Sequence, residues 1–148
     1  MDIADLSHMD TFAHWTPVTI RFSDQDSMGH VNNCAFAAYV ELSRVIFLKA
    51  LVDHEQNPGI DFILASLKID YKRELHFPGT VMVGARVLKL GNKSVTTGYG
   101  LFKDEECVAT SESVNVFIEL SERKSIQIPP FIRAALEADP LQKDRIPG

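Results

Sequence analysis

Five polar side chains, Asp24, Asp26, His30, Asn32 and Asn33, fall within a stretch of ten residues. A carboxylate can act as nucleophile or general base, and an imidazole can accept or donate a proton near neutral pH. Directly after Asn33 the chain becomes CAFAAYVELSRVIFLKAL, apolar on most of its circumference, so a buried helix starts where the polar run ends. The first N–H groups of a helix have no partner within it, and the helix dipole favours negative charge beside them. Base, imidazole and free donors therefore meet at the edge of a core. Hydrolysis of an ester or thioester needs such parts: a base that attacks or activates water, and donors that hold the carbonyl oxygen as it gains charge.

Asp26 lies seven residues before Asn33, and a turn at Met28-Gly29 would return its carboxylate to the helix start. Gly29 suits positive φ or the close approach of a ligand. Each residue also has a plainer use. Asp24 and Asp26 can bond their own backbone in turns, Asn32 and Asn33 can cap the helix, and His30 can be a satisfied core histidine. For Asp24 the structural use is preferred. A pair of carboxylates flanking one bond is not expected of Asp24 and Asp26, because neighbours two apart in sequence cannot readily stand ~5 Å or more apart on opposite sides of it.

The elements that must position these groups follow from periodicity and turn signals. VTIRF, within Pro17 to Phe22, reads as a strand, and Asn32 or Asn33 caps a helix of roughly 18 residues. Asn57-Pro58-Gly59 marks a turn. Four strands are then expected at Phe62 to Lys72, Thr80 to Leu90, Ser94 to Phe102 and Cys107 to Glu119, joined by short turns as an antiparallel meander. FIRAALEA is a short C-terminal helix. Residues 1–14 are expected to form a loose arm, pinned by Trp15, and residues 140–148 a mobile tail. The expected fold is α+β: a single domain over 1–148 in which an antiparallel sheet of about five strands wraps a long central helix.

Composition narrows the partners. At 148 residues, 45% apolar and 24% charged, the chain has the make-up of one soluble domain. Its net charge of −5, with no basic run longer than Lys72-Arg73 or Arg123-Lys124, argues against a nucleic-acid partner. No apolar run is long enough for a membrane span, and the acidic start MDIADLSHMD does not resemble a secretory signal, so a cytoplasmic location is expected. Cys34 and Cys107 provide neither a disulfide framework nor a zinc site, and no spacing suggests a metal.

The run RFSDQDSMGHVNNCAFAAYVELSR resembles the signature of hotdog-fold acyl-CoA thioesterases of the 4-hydroxybenzoyl-CoA thioesterase branch, and the D-x-D-x-x-x-H-V-N-N element of plant acyl-ACP thioesterases. IDYKRELHFPGTVMVGARVLKLGNKS is similar to that family's central hairpin, and SERKSIQIPPFIRAALEA to its ending. The resemblance implies that Asp26 is the catalytic carboxylate, while Asp24 matches the first, non-catalytic aspartate. His30 matches the histidine given a catalytic part in the plant enzymes. The polarising backbone N–H falls at Asn33. Gly29 and Asn32, beside it in the loop, are expected substrate contacts. Met28 stands where the plant pattern has asparagine, which favours a mechanism resting on Asp26 and the helix N-terminus. Nucleotide contacts are implied at the turn Leu90 to Ser94, on Lys93 and Ser94, although Gly91 and Asn92 replace the arginines of the hydroxybenzoyl enzyme. That turn can equally be a plain hairpin with an exposed lysine.

The implied activity is hydrolysis of an acyl-CoA, with acyl-ACP as a possible alternative substrate, by a homodimer or homotetramer whose site lies at the subunit boundary. No cofactor or metal is implied; CoA enters as part of the substrate. Two other readings remain. The chain could be a non-catalytic acyl-binding hotdog domain. It could also be a β-hydroxyacyl dehydratase using His76, since His76-Phe77-Pro78-Gly79 spells that family's HFPG. In dehydratases the motif leads into the long helix, whereas here it falls between two strands, so His76 is expected to be a strand-end residue.

Overall fold

Asn32 caps the helix that organises the molecule: its side-chain oxygen accepts from the Ala35 N–H at 2.8 Å, and helix α1 runs Asn33–Leu51. The structure is a computed structural model that describes residues 4–52 and 58–138. Strands β1 (His14–Thr19), β2 (Ile60–Tyr71), β3 (Thr80–Leu90), β4 (Ser94–Lys103), β5 (Glu106–Glu119) and the short β6 (Lys124–Ser125) form one antiparallel sheet, and helix α2 spans Pro130–Glu137. The sheet curls against α1, which buries Phe36, Tyr39, Val40, Phe47 and Leu48 towards it. This is the expected fold class.

The strand order is β1-β3-β4-β5-β2, with β6 on β5. The meander therefore holds for β3 to β5 and fails for β2, which pairs with β5 from Ile60↔Glu119 to Tyr71↔Ala109 and leaves β3 to β1. The cause lies in residues 72–79, which cross the sheet's end instead of turning back. Leu75 is buried and its carbonyl accepts from the Val31 N–H at 2.7 Å, while the Gly79 carbonyl accepts from the Ile20 N–H at 2.9 Å. A local turn cannot make those contacts and also return β2 onto β3.

The first strand lies earlier than expected because Ile20 drops into the core and Phe22–Asp24 forms a 3-10 turn. The arm expected to be loose is seated over part of its length. Phe12 is buried over Gly84, where an added Cβ would strike its ring, and Trp15 meets Phe12 and Phe102 edge-on. Asn57 and the residues of the tail lie outside the described residues.

Helix α1 was also expected to be covered on most sides. One flank is open instead: Ala38, Leu42 and Ile46, spaced by four, form an exposed apolar stripe. On the covered side a buried polar cluster fixes how the helix sits. Arg44 Nη1 donates to Asn115 Oδ1 at 3.0 Å, and Asn115 Nδ2 donates to Val95 O and Thr97 Oγ1, both at 3.2 Å. Arg44 directs its other donors to the half-exposed Glu41, and the bonds through the fully buried Asn115 tie α1 to one register on β4 and β5.

Candidate active site

The polar loop is a closed hairpin of its own. Asp26 N–H donates to His30 O at 2.9 Å, Gly29 N–H to Asp26 O at 3.1 Å, and Gln25 bridges Val31. Gly29 has φ +83°, a conformation that favours glycine, and this lets the chain reverse above the helix start. The reversal sets His30 Nδ1 3.4 Å from Asp26 Oδ2, with each side chain about one-third exposed (29% and 33%). The other Asp26 oxygen accepts from the Met28 N–H at 2.9 Å. The turn-forming use of Asp26 is therefore real, and it leaves one oxygen directed at the histidine.

Asp24 differs in every respect. It is buried, and Oδ2 accepts from the Arg21 N–H at 2.9 Å and from the Tyr39 hydroxyl at 2.5 Å, while Oδ1 accepts from Arg21 Nε and Nη2 at 3.2 and 3.0 Å. Burial alone would raise its pKa, but the bonds from Tyr39 and Arg21 outweigh burial and hold the carboxyl below its ordinary range. The same burial, with the Asp24 charge, pushes the Tyr39 hydroxyl up. Asp24 O also accepts from the Asn32 N–H at 3.0 Å, which fixes the cap of α1.

A cleft of about 260 Å³ opens beside the helix start, lined by His30, Val31, Asn33, Phe36, Tyr71 and residues 72–75. Phe36 and Tyr71 meet edge-on at 5.2 Å, and the Tyr71 hydroxyl donates to Asn33 O at 3.4 Å. Asp26 does not line the cleft; it stands behind His30, which does. A carbonyl in this cleft would have the α1 N-terminus on one side and the His30–Asp26 pair on another, the arrangement that base-assisted acyl transfer uses. Among the described residues no group of three or more His, Cys, Asp or Glu side chains could hold a metal ion.

Asp26, Gly29, His30, Asn32 and Asn33 are thus neighbours. Lys93 and Ser94 are not. Ser94 pairs with Val116, which pairs with Ile63, whereas the cleft lies at the Tyr71 end of the same strand. From Ile63 to Tyr71 is ~26 Å along a strand.

His76 is closer to the site than its sequence context suggests. Its Nδ1 lies 3.3 Å from Gly29 O, its Nε2 3.3 Å from Glu74 Oε2, and its ring 6.2 Å from that of His30. Tyr71, Lys72 and Arg73 are further lining residues that periodicity could not place. The one signal was Leu75, an apolar residue set between the charged Arg73-Glu74 and His76.

The chain matches, over residues 20–136, a family described as the thioesterase-like superfamily. It is 28% identical over 89 residues to the Bacillus subtilis (strain 168) protein YsmA, a match spanning 60% of each chain. Among solved structures it is similar to a protein of Pseudomonas aeruginosa strain PAO1, with 30% identity, 86% and 92% of the two chains covered and a TM-score of 0.76. It is likewise similar to a thioesterase of Thermus thermophilus solved with coenzyme A and zinc, at 29% identity, with 93% and 100% covered and a TM-score of 0.79.

Proposed function

Taking as premise that the chain belongs to the thioesterase-like superfamily, we propose that it hydrolyses an acyl-CoA to the free acid and CoA, with Asp26 as base or nucleophile. The observation that carries this reading is the single carboxylate oxygen of Asp26 facing His30 at the rim of a cleft that ends on the α1 N-terminus. As a base, Asp26 takes a proton from water as the water oxygen attacks the thioester carbon. The C–S bond then breaks, and the departing thiolate of CoA takes that proton back. As a nucleophile, an Asp26 oxygen attacks the same carbon and expels the thiolate, and water then hydrolyses the resulting anhydride. In both, the N–H of Asn33 holds the carbonyl oxygen as it becomes negative. His30 orients Asp26 and shares the proton. Gly29 and Asn32, expected as substrate contacts, lie outside the cleft's lining and act through the turn that returns Asp26 and the cap that holds the helix start.

A homodimer completes this reading. Strand β2 is the edge of the sheet, with Ile63, Leu64, Leu67 and Tyr71 exposed along it, and an apolar edge of that length is a template for pairing. Antiparallel pairing of two β2 edges would bring the Ile63 end of one protomer, with its Lys93 and Ser94, towards the Tyr71 end of the other. Those two residues would then serve the partner's site. Acyl-ACP is the alternative thiol carrier.

Thiol release from short, long and aromatic acyl-CoAs by wild type and Asp26→Asn tests the proposal. The expected result is release on at least one substrate, reduced ~10²-fold or more in the variant with the fold intact. Release indifferent to Asp26 would overturn the assignment. Acyl-CoA that binds without turnover would favour the acyl-binding reading.

A further inference from the structure

We propose that Lys72 and Arg73 seat the phosphate-bearing end of the thiol leaving group, the nucleotide phosphates of CoA. This rests on the thioesterase reading of the neighbouring cleft. The pair sits where β2 ends, and it is not on a free loop: the N–H groups of Lys72 and Arg73 both donate to Val108 O, at 2.9 and 3.2 Å. Two cavities meet over these two side chains. One is the cleft of about 260 Å³ that holds His30 and Asn33. The other, about 590 Å³, is open and polar, and is bounded by Ser7, Glu106 and Cys107 besides the pair itself. In CoA the pantetheine arm separates the thioester from the phosphates. The phosphates must therefore fall outside the cleft that holds the carbonyl, and the second cavity begins where that cleft ends.

The charges agree. Acidic neighbours are mostly engaged elsewhere, with Glu74 3.3 Å from His76 and Asp5 3.1 Å from His8. Glu106 faces Arg73 at 3.7 Å, but both side chains are well exposed, and such pairs are weak enough for a phosphate to displace. No ion pair holds Lys72 among the described residues. A guanidinium fork beside a compact ammonium is a combination suited to phosphate oxygens. Lys93, the cation expected to take this role, lies ~26 Å away in the same chain and reaches this site only from the partner protomer of the proposed dimer, whereas Lys72 and Arg73 border the cleft in the chain that carries it.

The test measures CoA and adenosine 3′,5′-bisphosphate binding by calorimetry, and hydrolysis of two thioesters of one acyl group, acyl-CoA and the phosphate-free acyl-N-acetylcysteamine. In Lys72→Ala/Arg73→Ala, affinity for both nucleotide probes should fall on the order of tenfold or more, and kcat/KM should fall several-fold further for acyl-CoA than for the phosphate-free thioester. Glu106→Gln, which frees Arg73, should shift affinity the other way, roughly two- to threefold. Unchanged CoA affinity in the double variant, or equal loss on both thioesters, overturns the seat and leaves the thioesterase reading standing. So does a loss of CoA affinity that follows Lys93→Ala instead. Wild-type protein that binds neither probe also overturns the seat. Nucleotide binding that is lost in the double variant, from a protein that hydrolyses neither thioester, supports the seat and overturns the thioesterase reading.

Discussion

Two carboxylates two residues apart do opposite things in this molecule. At the floor of the loop, Asp24 is buried with both oxygens occupied by Arg21 and Tyr39; at the rim, Asp26 gives one oxygen to its own turn and turns the other to His30. Saturated hydrogen bonding makes a charge stable and chemically idle. An oxygen with one imidazole neighbour, and that imidazole lining a cleft, keeps a lone pair to use. The difference is therefore one of remaining valence, and it can be broken from either side.

The largest effect is expected from exchanging the test between the two sites. Asp26→Asn should lower kcat ~10²-fold or more while stability moves by less than about 1 kcal/mol, because the Met28 N–H can still bond an amide oxygen. Asp24→Asn should do the reverse. Removing a buried, charged acceptor costs about 2–3 kcal/mol, or roughly 5–10 °C in Tm for a domain of this size, with most of kcat retained in the folded fraction. Thermal unfolding and thiol release on the two variants side by side check both. Equal loss of activity in the two would mean that Asp24 also reaches the chemistry.

A smaller effect probes why Asp24 stays charged. Tyr39→Phe removes one donor and should cost about 1.5 kcal/mol at neutral pH. Since the folded pKa of Asp24 lies below the ordinary 3.8, the stability it brings is complete above that value and is lost as pH falls through the folded pKa. The deficit of the variant should therefore be full at pH 7 and shrink below about pH 4. A deficit that stays constant down to pH 2 would show that Tyr39 contributes packing and no charge stabilisation.

The contrast between Asp24 and Asp26 was partly legible in the sequence, through the resemblance and the turn at Gly29. The helix, its Asn32 cap and the bounds of β3 were legible too, because caps, periodicity and turns act over a few residues. What the sequence hid was non-local. Whether β2 pairs with β3 or β5 is decided by the crossing of residues 72–79, whose contacts reach back to Val31 and Ile20. The same crossing brings His76 to Gly29 and leaves Lys93 at the far end of the sheet. The arm's seat was hidden for a similar reason: Gly84 reads as a weak strand residue until Phe12, far earlier in the chain, lies across it.

The smallest effect is expected at Asn32, which belongs to both regions: its backbone N–H rests on Asp24 O at 3.0 Å, and its side chain caps the helix on which the carbonyl would lie. Asn32→Ala should cost about 1 kcal/mol by loss of the cap, with a few-fold fall in kcat as the first turn loosens. Asn32→Asp separates the two consequences. An aspartate caps as well as asparagine, and its charge suits the positive end of the helix, so stability should hold or rise by a few tenths of a kcal/mol. The same charge opposes the negative oxygen that develops beside the Asn33 N–H, so kcat should fall by roughly tenfold. A stable Asn32→Asp protein with undiminished kcat would place the reacting carbonyl away from the α1 N-terminus, and Asp26 would then need a different source of oxyanion donors.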